Sequence, residues 1–350
     1  MDLALTDEQR SVQELFAGFF SKESAPGRVR AVESLGFDQS LWDALTGIGA
    51  IMMGLPEERG GAGASTLDLV LVAEQFGRRI AAVPLVEALV AAETLARTAP
   101  GRSLLDEVAA GTLIPTIALR PVAAGVARLA PAGAVADILV ALDADELVAV
   151  RRLGQRPHQQ PPRNLASSPI ADWDLAAPGS QRTVLARGDQ ALQAHSDALS
   201  MWRVLTAAAL SGLRREALDM AVGYVKVREA FGVPIGHFQA IQHRLADLFT
   251  AGEALQLLVY EAGWARDADP GRAQVLSGMS FLAASEVSFR TCREALQFHG
   301  GYGFTLEYDI QMYFCRAKAW PLAIGPLRDS YQHLAGLLFG GPSRPTTRQE

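Results

Sequence analysis

Apolar positions recur at helical spacing over the first hundred residues, shift to short runs broken by Pro and Gly, and then return to long helical tracts. Val12, Leu15, Phe16, Phe19 and Phe20 lie three and four apart, the spacing of one helix face, and predict a helix near the N-terminus. Thr6 can cap it, and Asp7 and Glu8 stand where the helix dipole favours negative charge. The run Pro56-Glu-Glu-Arg-Gly-Gly-Ala-Gly63 breaks the pattern and reads as a turn, since a lone Gly-Gly-x-Gly is weak evidence of phosphate binding. A helix over about residues 66–79 follows, apolar at Leu67, Leu69, Val70, Val72 and Phe76. Short β-type runs then fall at 114–119, 136–142, 146–150 and 182–185, with a polar, proline-rich tract at 154–163 that reads as an exposed loop. Helical tracts cover 192–228, 239–267, 272–299 and, more briefly, 326–339, and their apolar faces imply a bundle. The expected class is α+β, mainly α. It comprises an N-terminal helical domain (1–112), a small middle β domain (113–190), a C-terminal four-helix bundle (191–341) and a disordered tail (342–350).

Composition narrows the function classes. At 350 residues the chain can bury roughly three quarters of its unfolded surface and form more than one domain. A hydrophobic share of 49% with 20% charged residues argues against global disorder. A net charge of −6 gives no electrostatic case for nucleic acid. Cys292 and Cys315 are too few for a disulfide framework, so reduced thiols are expected. The opening residues Met1 to Arg10 are acidic and unlike a secretory leader, and the apolar runs are broken by charge before membrane-spanning length. A soluble cytoplasmic protein without a membrane partner is expected. Six histidines form no ligand pattern, so no metal is expected.

Two runs carry the candidate chemistry. The first is Arg228-Glu-Ala-Phe-Gly-Val-Pro-Ile-Gly-His-Phe-Gln-Ala-Ile-Gln-His-Arg-Leu-Ala-Asp247. The second is Gln297-Phe-His-Gly-Gly-Tyr-Gly-Phe304, followed by Glu307-Tyr308 and Arg316-Ala-Lys318. Together they resemble the C-terminal signatures of the acyl-CoA dehydrogenases, FAD enzymes that desaturate acyl-CoA thioesters between Cα and Cβ. Leu41-Trp42, Gly49, the 56–63 turn, Glu74-Gln-Phe-Gly77 and Pro84 are similar to the family's N-terminal pattern. The resemblance implies the acyl-CoA dehydrogenase fold, FAD as cofactor, and Arg228, Phe231, Gln239, Gln297, Gly300 and Gly301 as cofactor-binding residues. In the family these motifs reach across a dimer interface to the adenosine and pyrophosphate of the neighbour's FAD. The residue types suit that task. Arg228 offers a permanent, forked cation to a doubly charged pyrophosphate. Phe231 supplies an aromatic face, Gln239 and Gln297 supply amides, and Gly300 and Gly301 let backbone approach a ligand. Taken singly, Arg228 also reads as a helix C-terminal cation and the glycine pair as a turn.

Departures from the family pattern are as informative. The catalytic base of the common branch is a Glu in a Glu-Gly-Thr run, and its position holds Ile324 in Ile324-Gly-Pro326. A second branch places the base one residue before an Arg on the first bundle helix, and Trp202 precedes Arg203 here. No catalytic residue is therefore assigned. The flavin-contacting loop of the family's middle domain corresponds to Ala118-Leu-Arg-Pro-Val-Ala-Ala-Gly125, with Arg120 at a Glu position and no Ser-Asp. Cys315 takes the usual Arg position beside Arg316. An α-proton next to a thioester needs a placed base, worth about 10²–10⁴-fold in rate. The resemblance thus implies a heteromeric enzyme of the actinobacterial steroid side-chain type. A paralogous subunit would supply the catalytic Glu and hold most of the acyl-CoA, and a separate flavoprotein would accept the electrons. Two alternatives stay open: a homomeric enzyme with its base moved to Glu307 or Asp329, and a non-enzymatic scaffold.

Overall fold

The computed structural model describes residues 4–98, 100–153 and 161–340. Helix α1 (Asp7–Glu23) begins with a reciprocal cap: Thr6 Oγ1 accepts the Gln9 N–H, and Gln9 Oε1 accepts the Thr6 N–H. Phe16 and Phe20 face inward, whereas Leu15 points off that face and is 63% exposed. After α2 (Pro26–Ala31) and α3 (Gln39–Gly47), the chain turns through the Gly-Gly-x-Gly run. Gly60 adopts a φ of 73°, and a Cβ on Gly61 would lie 1.9 Å from the Leu55 carbonyl oxygen, so the run is built as a tight turn. Helix α4 (Thr66–Arg78) repeats the reciprocal cap with Ser65 and Asp68. The Thr66 N–H and hydroxyl both donate to Asp267, at 2.7 Å each. Helix α5 (Leu85–Ala96) is buried almost all round, and a short α6 (Leu105–Ala109) ends the helical region.

The middle region holds β1 (Pro115–Ile117), β2 (Val126–Ala130), β3 (Ile138–Asp143), β4 (Glu146–Arg152), β5 (Ala171–Asp174) and β6 (Ser180–Arg187). A four-stranded sheet runs in the order β1-β3-β4-β6, with β1 parallel to β3 and the other pairs antiparallel. Strand β3 is buried on both faces, which explains its continuous apolar run in place of alternation. A separate antiparallel pair, β2 with β5, is absent from the sequence expectation because both strands are short and mix charges with apolar residues. Trp173 on β5 closes it, donating its indole N–H to the Gly133 carbonyl at 2.8 Å.

Helix α7 (Gly188–Val227) is 40 residues long and starts four residues before the sequence pattern predicts. It is followed by a small hairpin, β7 (Glu229–Ala230) and β8 (Val233–Pro234), and by α8 (Gln239–Ala268), α9 (Pro270–His299), α10 (Ile310–Ala319) and α11 (Leu327–Phe339). Helix α10, unforeseen as an element, carries the Arg316-Ala-Lys318 run. Helix α7 packs against α4 and α5, against β4 and β6, and against α8, α9 and α10. One apolar core accordingly extends from Phe16 and Phe20 through Ile138–Leu142 to Phe281 and Ala284. The sequence expectations for the start of the 154–163 tract and for the 342–350 tail fall on residues 154–160 and 342–350, outside the described residues.

Candidate functional site

The two sequence motifs meet at one end of the bundle. Helix α7 stops when Arg228 leaves helical geometry (ψ 120°) while its N–H still donates to the Tyr224 carbonyl. Glu229–Ala230 then pairs with Val233–Pro234 across a two-residue turn in which Phe231 (φ 54°) and Gly232 (φ 79°) are both left-handed, the signature of a type I′ hairpin. Helix α9 ends at Gly300, whose φ of 59° favours glycine. These two endings enclose an open pocket of ≈ 400 Å³ whose wall includes Tyr224, Arg228, His299, Gly300, Gly301 and Tyr302.

Chemically this pocket presents one cation on an aromatic floor. The Arg228 guanidinium carbon lies 5.6 Å from the Tyr302 ring centroid, within cation–π range. Among the described residues no carboxylate comes within 4.0 Å of it, so its charge is available to a ligand. His299 stacks on Tyr224 at 4.2 Å, with Nδ1 2.7 Å from the Ala295 carbonyl, and burial holds its imidazole below the ordinary value, in the neutral form. A Cβ on Gly300 or Gly301 would meet no atom of this chain, so Gly301 has no internal steric reason to be glycine. Phe231, Gln239 and Gln297 do not line the pocket. Phe231 projects from the hairpin tip with its ring 6.3 Å from that of Phe238, Gln239 opens α8, and Gln297 lies on the exposed side of α9. Around them Val227, Phe304 and Leu306 leave large apolar side chains in solvent. The sequence reasoning missed Tyr224, His299 and Tyr302, although the last two stand inside the quoted motif.

A more enclosed cavity of ≈ 320 Å³ lies where the three regions converge. Its wall comes from the loop before α5, the end of β2, residues 164–170, one face of α7 and residues 316–323. Trp202 is 1% exposed, donates its indole N–H to Glu87 at 3.3 Å and packs on Phe281, with ring centroids 5.7 Å apart. Ile324 ends the turn of residues 320–324, half-buried against the core, and Gly325 follows with a φ of 125°. Arg120 reaches that turn, with its Nη2 3.4 Å from the Ala323 carbonyl. Arg203, next to Trp202, is pushed down to about 10 by burial. Glu87 is the carboxylate in the cavity wall. It is half-buried, and desolvation there raises its pKa. Its available sequence signal was a lone acid in Leu85-Val-Glu-Ala-Leu-Val90. Glu307 is exposed and Asp329 lies 3.6 Å from Arg328 at the start of α11, and neither lines the cavity. Among the described residues no acidic, histidine or cysteine cluster is placed to hold a metal, and no helix is long and apolar enough to cross a membrane.

Comparison with known proteins agrees with this architecture. Residues 6–100 match the family model for the acyl-CoA dehydrogenase N-terminal domain, and residues 192–327 match that for the C-terminal domain. Acyl-CoA dehydrogenase IpdE2 of Mycolicibacterium smegmatis is 32% identical over 343 residues, covering 96% of this chain and 100% of the relative. IpdE2 of Mycobacterium tuberculosis is also 32% identical, over 96% of this chain and 99% of its own length. Among solved structures, the steroid acyl-CoA dehydrogenase Tcur3481-Tcur3483 superposes with a TM-score of 0.84 at 28% identity, over 96% of this chain and 98% of that one. The ChsE4-ChsE5 complex of Mycobacterium tuberculosis gives 0.81 at 25%, over 98% and 100%. With its fold, its bundle-end motifs and relatives that cover 96% of it, this chain belongs to the acyl-CoA dehydrogenase family.

Proposed function

We propose that this chain is one subunit of a heteromeric, FAD-dependent acyl-CoA dehydrogenase and lacks a catalytic base of its own. A paralogous partner would contribute the glutamate that removes the α-proton and would hold most of the acyl-CoA. The observation that carries the reading is the contrast between the two sites. The bundle-end pocket keeps an unpaired Arg228 beside open glycine backbone, while both base positions hold groups that accept no proton, Ile324 and Trp202. The residues present fit the charged half of the cofactor: Arg228 would meet pyrophosphate, and Gly300 and Gly301 put no Cβ in the way of a ligand. When bound, FAD supplies the acceptor for the hydride leaving Cβ. Arg228 anchors and orients, and the exposed apolar residues around it exclude water once a partner covers them. A separate flavoprotein would take the electrons onward. Because two similar structures are a steroid enzyme and a two-component complex, a bulky steroid-derived acyl-CoA is the substrate class we infer.

Native mass spectrometry of the chain isolated from its own host, with flavin counted by absorbance, tests the proposal. A mixed oligomer with a glutamate-bearing paralogue and one FAD per unlike pair is expected, and Arg228→Ala in this chain should lower its flavin content. A homo-oligomer with one FAD per chain and acyl-CoA turnover would overturn it. Glu87, which faces the cavity, would then be the relocated base to examine before Glu307 or Asp329. A chain free of flavin in every assembly would leave the scaffold reading.

A further inference from the structure

The enclosed cavity has a charge balance unlike that of a site built for a neutral thioester. Arg316, on α10, lines it while only 3% exposed. The hydrogen bond its guanidinium makes runs back to its own helix, to the Met312 carbonyl at 3.4 Å, beyond the usual range. Among the described residues no carboxylate lies within 4.0 Å of it. Glu33 attracts it from farther away, and the Glu33 carboxylate accepts the Ser167 hydroxyl at 3.2 Å. Arg120 lines the same cavity and is also without a carboxylate within 4.0 Å; its contact with the Ala323 carbonyl is again 3.4 Å long. Glu87 does not cancel these charges, since neither arginine lies within 4.0 Å of its carboxylate and its neighbour is the Trp202 N–H. A buried guanidinium without a counter-charge is expensive, and one that lines a cavity leaves room for a ligand to bring that charge. The remaining wall is largely apolar, with Phe76 stacked on Trp320 at 5.7 Å. A volume of ≈ 320 Å³ suits a small molecule.

We propose that this cavity binds an apolar carboxylic acid as its anion, with the carboxylate received by Arg316 and Arg120 and the hydrocarbon body by Phe76, Trp320 and the surrounding apolar wall. A guanidinium fork matches a carboxylate in plane and spacing, and two of them can take both oxygens. The site is separate from the bundle-end pocket, and it rests on the proposed function, in which the partner holds the flavin ring and leaves this cavity free.

Isothermal calorimetry on the protein as isolated from its host tests this with 2-naphthoic acid and its uncharged methyl ester. The acid should bind roughly tenfold tighter than the ester, the order expected for one charge-assisted pair. Arg316→Gln, which keeps a polar amide and removes the charge, should abolish that preference. Arg120→Gln, at a half-buried position, should reduce it if the first variant fails to fold. Both substitutions lie in this chain, so they separate its cavity from any site on a partner. Equal affinity for acid and ester, absence of binding, or an acid preference that survives both substitutions would overturn the proposal. Displacement of one bound FAD per acid taken up would also overturn it, by making the cavity a flavin-ring site.

Discussion

At the tip of the β7–β8 hairpin, Phe231 takes a left-handed φ that costs a residue with a Cβ about 1–2 kcal/mol, and it leaves its ring 96% exposed. Glycine would avoid both costs, as it does at the neighbouring Gly232. A covering surface would offset the second, which is why the ring matters to the proposed assembly. Glu87 presents the opposite case, a polar group set into the wall of the cavity. Burial raises its pKa above the ordinary 4.5, so between that value and the raised one the native state holds a proton that the unfolded chain has released. The stability this group contributes is fully present below pH 4.5 and is lost as pH rises through the raised native value. Glutamine has no such dependence and still accepts the Trp202 N–H. Glu87→Gln should therefore match the wild-type urea midpoint near pH 4.5 and exceed it at pH 7.5. The same midpoint difference at both pH values would show that the carboxyl is not held protonated.

Elements pack here through places where side chains are missing. Where α4 crosses α7, a Cβ on Gly77 would lie 1.9 Å from the Ala209 carbonyl oxygen, and one on Gly212 would lie 1.8 Å from the Glu74 carbonyl oxygen. Backbone cannot yield as a flexible side chain can. Gly212→Ala should force the helices apart and cost about 3 kcal/mol, at the upper end for overpacking. Gly223→Ala, later on α7 with no atom within 4 Å of the added Cβ, should stabilise by about 0.5–1 kcal/mol through helix propensity. Urea denaturation of both variants checks the pair, and similar effects would refute the close-crossing account. The same contrast explains what was legible in the sequence. Long helices announce themselves by apolar period, and Thr6 by its place before the first of them. Strands β2 and β5 gave no such signal, because their pairing, rather than their pattern, makes them strands. The bundle-end pocket was half legible: Arg228, Gly300 and Gly301 converge, whereas the Tyr302 floor arises only from the fold. The cavity was partly legible: the resemblance sets Arg120 and Trp202 at a flavin-loop and a base position, whereas Glu87 and the inward place of Arg316 come only from the fold.

At the scale of the molecule, the three regions are not independent beads. Helix α7 serves as a wall for each of them, lying on α4 and α5, on β4 and β6, and on α8, α9 and α10. Polar contacts add ties across the same seams. Arg78, the last residue of α4, and Arg79 just after it both reach Glu216 on α7, at 2.9 and 3.0 Å, Arg30 reaches Asp309 at 2.6 Å, and Thr66 is held by Asp267. These exposed or half-exposed pairs contribute up to about 1 kcal/mol each and cannot alone unify the fold. The shared core can, because melting the N-terminal helices would uncover the buried α7 face and the apolar residues of the sheet beside it. Cooperativity should therefore exceed what the chain's length and three-part order suggest. Scanning calorimetry of the full chain is expected to show one endotherm, and Gly212→Ala should move that whole endotherm down. Two separable endotherms, with only the first shifted by the substitution, would mean that the α4–α7 crossing joins independent domains and that the continuous core is not energetically continuous.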